Sequence, residues 1–146
     1  MNYAAAKTVI LKRIEEQKWK AARNIINDVQ HHVTNNIWNI ELTYLSAIIA
    51  FRTEEYCECY QHAEQVACDL RLIFDQLTQE QLMSCLMATA MAMVARMRYN
   101  SLENVGLCEL YKPHFYKEIE ELKRSGRLTP DTDTSELDAL IAELNA

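Results

Sequence analysis

An all-α fold, built as an antiparallel array of helix-turn-helix pairs, follows from three features of this 146-residue chain. It holds two glycines and two prolines, and none of the four precedes Gly106. Tight turns between strands need glycine, asparagine or proline at set places, so such a chain builds helices far more readily than sheets. Apolar residues recur at helical spacing along most of its length. With 49% hydrophobic and 25% charged residues the composition is ordinary for a globular protein, which excludes wholesale disorder, and the length suits one domain. The scarcity of glycine also removes phosphate-cradling loops and dinucleotide fingerprints.

The elements can be placed in order. Ala6, Val9, Ile10 and Ile14 stripe a first helix over residues 4–16, and Trp19, Ala22, Ile25, Ile26 and Val29 stripe a second over 19–33. Asn36 is expected to cap a third helix over 37–51, with Trp38, Leu42, Leu45, Ile48 and Ile49 inward. Thr53 is expected to cap the fourth, and Glu54 and Glu55 suit its positive N-terminal dipole. The fourth helix runs to about Phe74, with a break expected near Cys68. Thr78-x-x-Gln81 is a capping box and opens the fifth helix. Here Met83, Met87, Met91, Val94 and Met97 line one face while Ser84, Ala88, Ala92 and Ala95 form a row of small residues. No charge appears from Gln81 to Ala95, so this helix should be the buried centre of about seven. Its uncharged stretch is shorter than the roughly 20 residues a bilayer requires.

Ser101 is expected to cap a sixth helix to Leu110, and Pro113 to start a seventh that Gly126 ends. The division is therefore a helical domain over 1–125, a linker over 126–134 containing Pro130, and a C-terminal amphipathic helix over 135–146. Leu137, Leu140, Ile141 and Leu144 stand at i, i+3, i+4 and i+7. A helix that short does not persist alone in water, so something must receive its leucine stripe.

The net charge of −6 argues against a generally basic nucleic-acid footprint. Charge is uneven, however. Residues 1–23 hold six bases against two acids, and residues 125–146 hold one base against five acids. Five cysteines, an odd number, with no secretory signal at the N-terminus, suggest reduced thiols in a cytoplasm.

Cys57-x-Cys59-x-x-His62, with Cys68 nearby, has the look of a metal cluster. On a helix, residues two apart point about 200° from one another, so Cys57 and Cys59 cannot face one ion. No metal and no cofactor is expected. His31-His32 reads as a helix terminus. Glu54-Glu55, Glu118 and Glu120-Glu121 read as solvated helix surface, and so few loops give little on which to build a catalytic site. The chain is not expected to be an enzyme.

Helices one to four form two units at an offset of 37 residues, which pairs Trp19 with Tyr56, Ala22 with Cys59, Ile26 with Ala63 and Val29 with Val66. The pattern Trp19-Lys-Ala-Ala22 and Tyr56-Cys-Glu-Cys59 resembles the second helix of a tetratricopeptide repeat, over residues 4–70. Tyr99 would open a third unit. The resemblance implies a scaffold that binds peptides or helices in a concave groove. It also implies similarity to small helical-repeat chaperones and adaptors such as those of bacterial secretion systems.

The function expected is a non-enzymatic, cytoplasmic adaptor or chaperone that captures a helix or segment of a protein partner. Trp19, Trp38, Tyr56, Leu137, Leu140, Ile141 and Leu144 are its candidate partner-binding residues. The C-terminal helix either occludes its own chain's groove, joins a second copy to make a homodimer, or is taken up by a partner. No membrane and no nucleic-acid partner is expected. The alternatives are a small helical regulator that touches nucleic acid through the basic N-terminal face, and a small helical metal-binding enzyme.

Overall fold

A computed structural model describes residues 2–99 and 102–146, the side chains of residues 102–104 excepted. These residues form seven α-helices and no strand: α1 (Tyr3–Glu15), α2 (Trp19–Gln30), α3 (Asn36–Arg52), α4 (Tyr56–Arg71), α5 (Gln79–Tyr99), α6 (Leu102–Arg124) and α7 (Ser135–Leu144). The expected all-α class and the pairing of helices are what is observed.

The first two hairpins are built alike. Three residues join α1 to α2 (Glu16, Gln17, Lys18) and three join α3 to α4 (Thr53, Glu54, Glu55). Gln17 and Glu54 adopt left-handed backbone, with φ of 60° and 62°. Lys18 and Glu55 follow with φ/ψ of −90/71 and −88/69. In each turn the amide after the left-handed residue donates back to a carbonyl five residues earlier: Lys18 to Arg13 at 2.8 Å and Glu55 to Ala50 at 2.8 Å. This is the Schellman arrangement, which satisfies helix-terminal carbonyls and normally places glycine at the left-handed position. The 37-residue offset read from aromatic and small residues is thus repeated in the backbone of the turns. Ala22 and Cys59, at matched positions of α2 and α4, are both fully buried.

Left-handed backbone costs an L-residue about 1–2 kcal/mol. Gln17→Gly and Glu54→Gly should each stabilise the fold by about 1 kcal/mol, after allowing for glycine's greater freedom in the unfolded chain. Urea unfolding midpoints will show this, and a loss of stability in both variants would contradict it.

Several boundaries differ from those expected. Asn35, not Asn36, caps α3, its side-chain oxygen accepting from the amides of Ile37 (2.9 Å) and Trp38 (3.2 Å). Thr53 ends α3 instead of capping α4; its hydroxyl donates to the Ile49 carbonyl at 2.9 Å. α2 stops at Gln30, and α4 stops at Arg71 with no break at Cys68, followed by a short 3-10 turn, Phe74–Gln76. The capping box at α5 is present as expected: the Thr78 amide donates to Gln81 Oε1 (3.0 Å) and the Gln81 amide to Thr78 Oγ1 (3.1 Å). Tyr99 closes α5 and so opens no third unit. The Ser101 cap lies outside the described residues.

The two helices expected on either side of Pro113 are one, because α6 runs through it. Cys108 and Phe115 stand two turns apart on one face and are both buried, so packing holds the helix across the proline. Pro113 and Glu109, whose carbonyl loses its helical partner, are both exposed to water. Gly126, at φ 79°, ends α6 as expected.

α5 is the centre. Leu82, Cys85, Leu86, Ala88 and every residue from Ala90 to Ala95 are buried in it. Small residues on α4 (Ala63) and α5 (Ala88, Ala95) are buried between closely packed helices. A second, smaller core under α1 and α2 gathers Ile10, Ile14, Ala22 and Ile26 around Leu42, Leu45 and Ile49 of α3.

The segment expected as a linker is pinned. Leu128 is buried, Arg127 donates to the Phe74 carbonyl at 2.6 Å, and the Thr129 amide donates to Gln79 Oε1 at 3.3 Å.

Candidate helix-binding surfaces

α7 packs on its own chain. Leu137 and Leu144 are each 1% exposed, and Leu140 and Ile141 pack against the main core. Of the three fates open to the leucine stripe, the one adopted here is docking in cis. Gln79, at the start of α5, holds the segment just before α7, while Arg98, near the end of α5, holds Glu143 near the end of α7. The two helices therefore run parallel.

Basic and polar groups gather at the C-terminal end of α7, where helix carbonyls lack partners and the dipole is negative. Arg98 Nε donates to Glu143 at 2.6 Å, Lys112 Nζ to the Leu144 carbonyl at 2.7 Å, and the Tyr116 hydroxyl to Asn145 Oδ1 at 2.8 Å. At the other end Asp133 accepts from the Ser135 amide at 3.0 Å, a bond that holds the Asp133 carboxyl below its usual pKa.

A groove of about 560 Å³ lies between α4 and α6, over α5. Ala67, Thr89 and Ala92 are small residues along it, with Met93 and Phe115 adding apolar surface and Tyr111 at the rim. The size is that of an ordinary ligand pocket. Two ion pairs belong to its lining. Arg96 pairs with Glu64 (2.7 Å from Nη2) beneath the Tyr60 ring, whose centroid is 4.2 Å from the guanidinium. Arg71 bridges Thr89 and Glu118, both at 2.8 Å, and so ties α4 to α5 and α6. Burial is the largest single influence on Arg71 and opposes its charge, but the bond it donates to Glu118 and the charges around it together outweigh burial and raise its pKa. On the far side of α6, Leu110 is 71% exposed.

The aromatic residues expected to bind a partner lie in two places. Trp19 and Tyr56 line one surface depression, where the first two hairpin turns meet, together with Phe51, Arg52 and Arg98. Tyr56 meets Phe51 edge-on (6.2 Å between centroids) and accepts a hydrogen bond from Arg98 at 3.1 Å. Trp38 is not part of that depression. It stacks on Tyr3 at 4.5 Å, and Tyr3 donates to Glu41. The seven expected residues therefore do not make one surface. Sequence reasoning gave no role to the groove residues Glu64, Arg71 and Arg96, and it read Glu118, which pairs with Arg71, as solvated surface. The one trace in the sequence was Arg96, the first charge after the uncharged run from Gln81 to Ala95.

The basic N-terminal face is largely engaged. Arg13 pairs with Glu16 (2.8 Å), Lys7 with Glu41 (3.4 Å), Lys18 with Glu16 (3.7 Å), and Arg23 with Glu55. The cysteines of the suspected cluster separate as helical geometry requires: Cys59 is buried, Cys57 half-buried and Cys68 exposed. Among the described residues no three His, Cys, Asp or Glu side chains are placed to hold a metal ion. No described helix is long and apolar enough to cross a membrane.

No family model matches the chain, and no curated protein or solved structure is detectably similar to it.

Proposed function

We propose that this chain is a non-enzymatic protein-binding module, a cytoplasmic adaptor or chaperone of the helical-hairpin kind, that takes up an amphipathic segment of a partner protein. The observation that carries this reading is the open groove between α4 and α6. Its small residues on α4 and α5 would let another backbone come close, as small residues do between packed helices. Met93 gives it an adaptable apolar surface, and the two arginine–glutamate pairs would orient polar groups flanking the bound side chains. The likeness of the two hairpin turns, and the resemblance of α2 and α4 to tetratricopeptide second helices, support the same class of function. The pairing of Lys7, Arg13, Lys18 and Arg23 within the chain speaks against a nucleic-acid surface there.

Ala92→Trp tests this by filling the groove from α5 with a side chain the vacant volume can hold. Proteins retained by the tagged wild-type chain and by the variant would be compared by mass spectrometry, with circular dichroism as the check on folding. The expected result is a partner retained by the wild type and lost by the folded variant. Identical retention by both would refute the groove as the binding site.

A further inference from the structure

A smaller pocket, of about 170 Å³, opens on the face formed by α1, α3 and α5. Leu11 of α1, Ile37, Ile40 and Tyr44 of α3, and Leu70 of α4 give it apolar walls. Lys7 stands at it between Glu41 (3.4 Å) and Glu80 (4.0 Å). A cavity of about 150 Å³ accepts a benzene ring, so this one has room for a single bulky apolar side chain.

The pocket lies at the start of α5, where Glu80, Gln81 and Ser84 line it, and α7 runs parallel to α5 with its last turn held at the far end by Arg98. Tyr44 lines the pocket and packs against the same core as Leu140 and Ile141 of α7. Glu136, in the first turn of α7, is close enough to Tyr44 for its charge to act on the phenol. Since the C-terminal end of α7 lies at Arg98, Lys112 and Tyr116, its N-terminal end points toward the pocket. α7 thus fills one part of an apolar track and leaves the next part empty.

We infer that this track is a second helix-binding surface, which α7 occupies in cis and from which a longer acidic amphipathic helix of a partner protein displaces it. Such a helix carries the α7 pattern of leucine or isoleucine at i, i+3, i+4 and i+7. It has a carboxylate for Arg98 next to its last leucine, and a bulky apolar side chain one or two turns before its first. Arg98 holds a carboxylate in the last turn of the docked helix and Lys112 a terminal carbonyl, so the site suits a helix that carries an acid next to its last leucine. Tethering gives α7 a high effective concentration, so an untethered helix with the same contacts competes poorly. The empty pocket supplies a contact that α7 does not make, and that contact is what lets a longer helix win. This surface is separate from the groove between α4 and α6, and the two readings are tested separately.

The probes are two fluorescent peptides. One has the sequence of residues 133–146. The other extends it at the N-terminus by two helical turns carrying a single phenylalanine on the leucine face. Anisotropy titrations with the full chain should show the extended peptide binding at least about tenfold more tightly. Leu11→Glu, at a residue 45% exposed and so tolerant of substitution, should abolish that gain. Equal affinities, or a gain that survives Leu11→Glu, would overturn the inference. Ala92→Trp should leave both affinities unchanged. If it abolishes binding, the peptides occupy the α4–α6 groove, and this inference falls while the proposed function stands.

Discussion

Leu137→Ala should lower the stability of the chain by about 3 kcal/mol, within the range of 2–5 kcal/mol usual for truncating a buried leucine. Leu137 is 1% exposed within the main core, so the lost methyl groups leave a cavity as well as forfeiting burial. The effect has a second part. α7 has ten residues, too few to remain helical alone, so its helix and its docking form together. Weakening one anchor therefore loosens the contacts of Leu144, Glu143 and Asn145 at the far end. Urea unfolding measures the total, and amide hydrogen exchange should accelerate first in residues 135–144. A loss below about 1 kcal/mol would mean that α7 adds little to the fold.

Stability should also fall steeply above pH 9. Burial pushes the Cys59 thiol from 9.0 up to about 12 and the Cys85 thiol from 9.0 to about 11. Tyr44 rises from 10.0 to about 12, through burial first and the charge of Glu136 second. In each case the folded chain holds its proton more tightly than the unfolded chain. The contribution is complete below the unfolded pKa and is lost as pH climbs through the window to the folded value, here from about 9 to about 12. Each group steepens the slope by up to about 1.4 kcal/mol per pH unit inside its window. Unfolding midpoints measured from pH 7 to 10.5 should be level to about pH 9 and drop beyond it. Cys59→Ala, which keeps a small residue where α2 has Ala22, should flatten the drop. A level profile to pH 10.5 in the wild type would contradict the assignment.

Features set by short-range chemistry were legible in the residues. Thr78 and Gln81 satisfy each other's amides within one turn, so their types and spacing suffice to place the start of α5. Gly126 tolerates the left-handed backbone that ends α6, and the residue type alone signals it. The matched hairpins showed through aromatic and small residues at corresponding positions. Glu54 was misread because glutamate gives no sign of left-handed backbone. With that turn unrecognised, Thr53 seemed to begin a helix when it ends one. Pro113 was misread because its local rule is real but weaker here than the burial of Cys108 and Phe115 on either side of it. Trp19 and Tyr56, two of the residues expected to bind a partner, meet in one depression. The groove between α4 and α6 was not found, since its lining comes from residues as far apart as Glu64 and Glu118.

By itself the sequence determined that this chain is helical, that α5 lies at its centre and that the last helix needs an apolar partner. Those outcomes depend on backbone freedom and on the periodicity of burial, which act within a few turns of chain. Only the tertiary structure decided that α7 docks in cis along α5, and that an open groove remains between α4 and α6. Both depend on which apolar faces meet across long stretches of chain. Hydrophobic burial has no preferred direction, so a leucine stripe shows that it must be covered without showing by what.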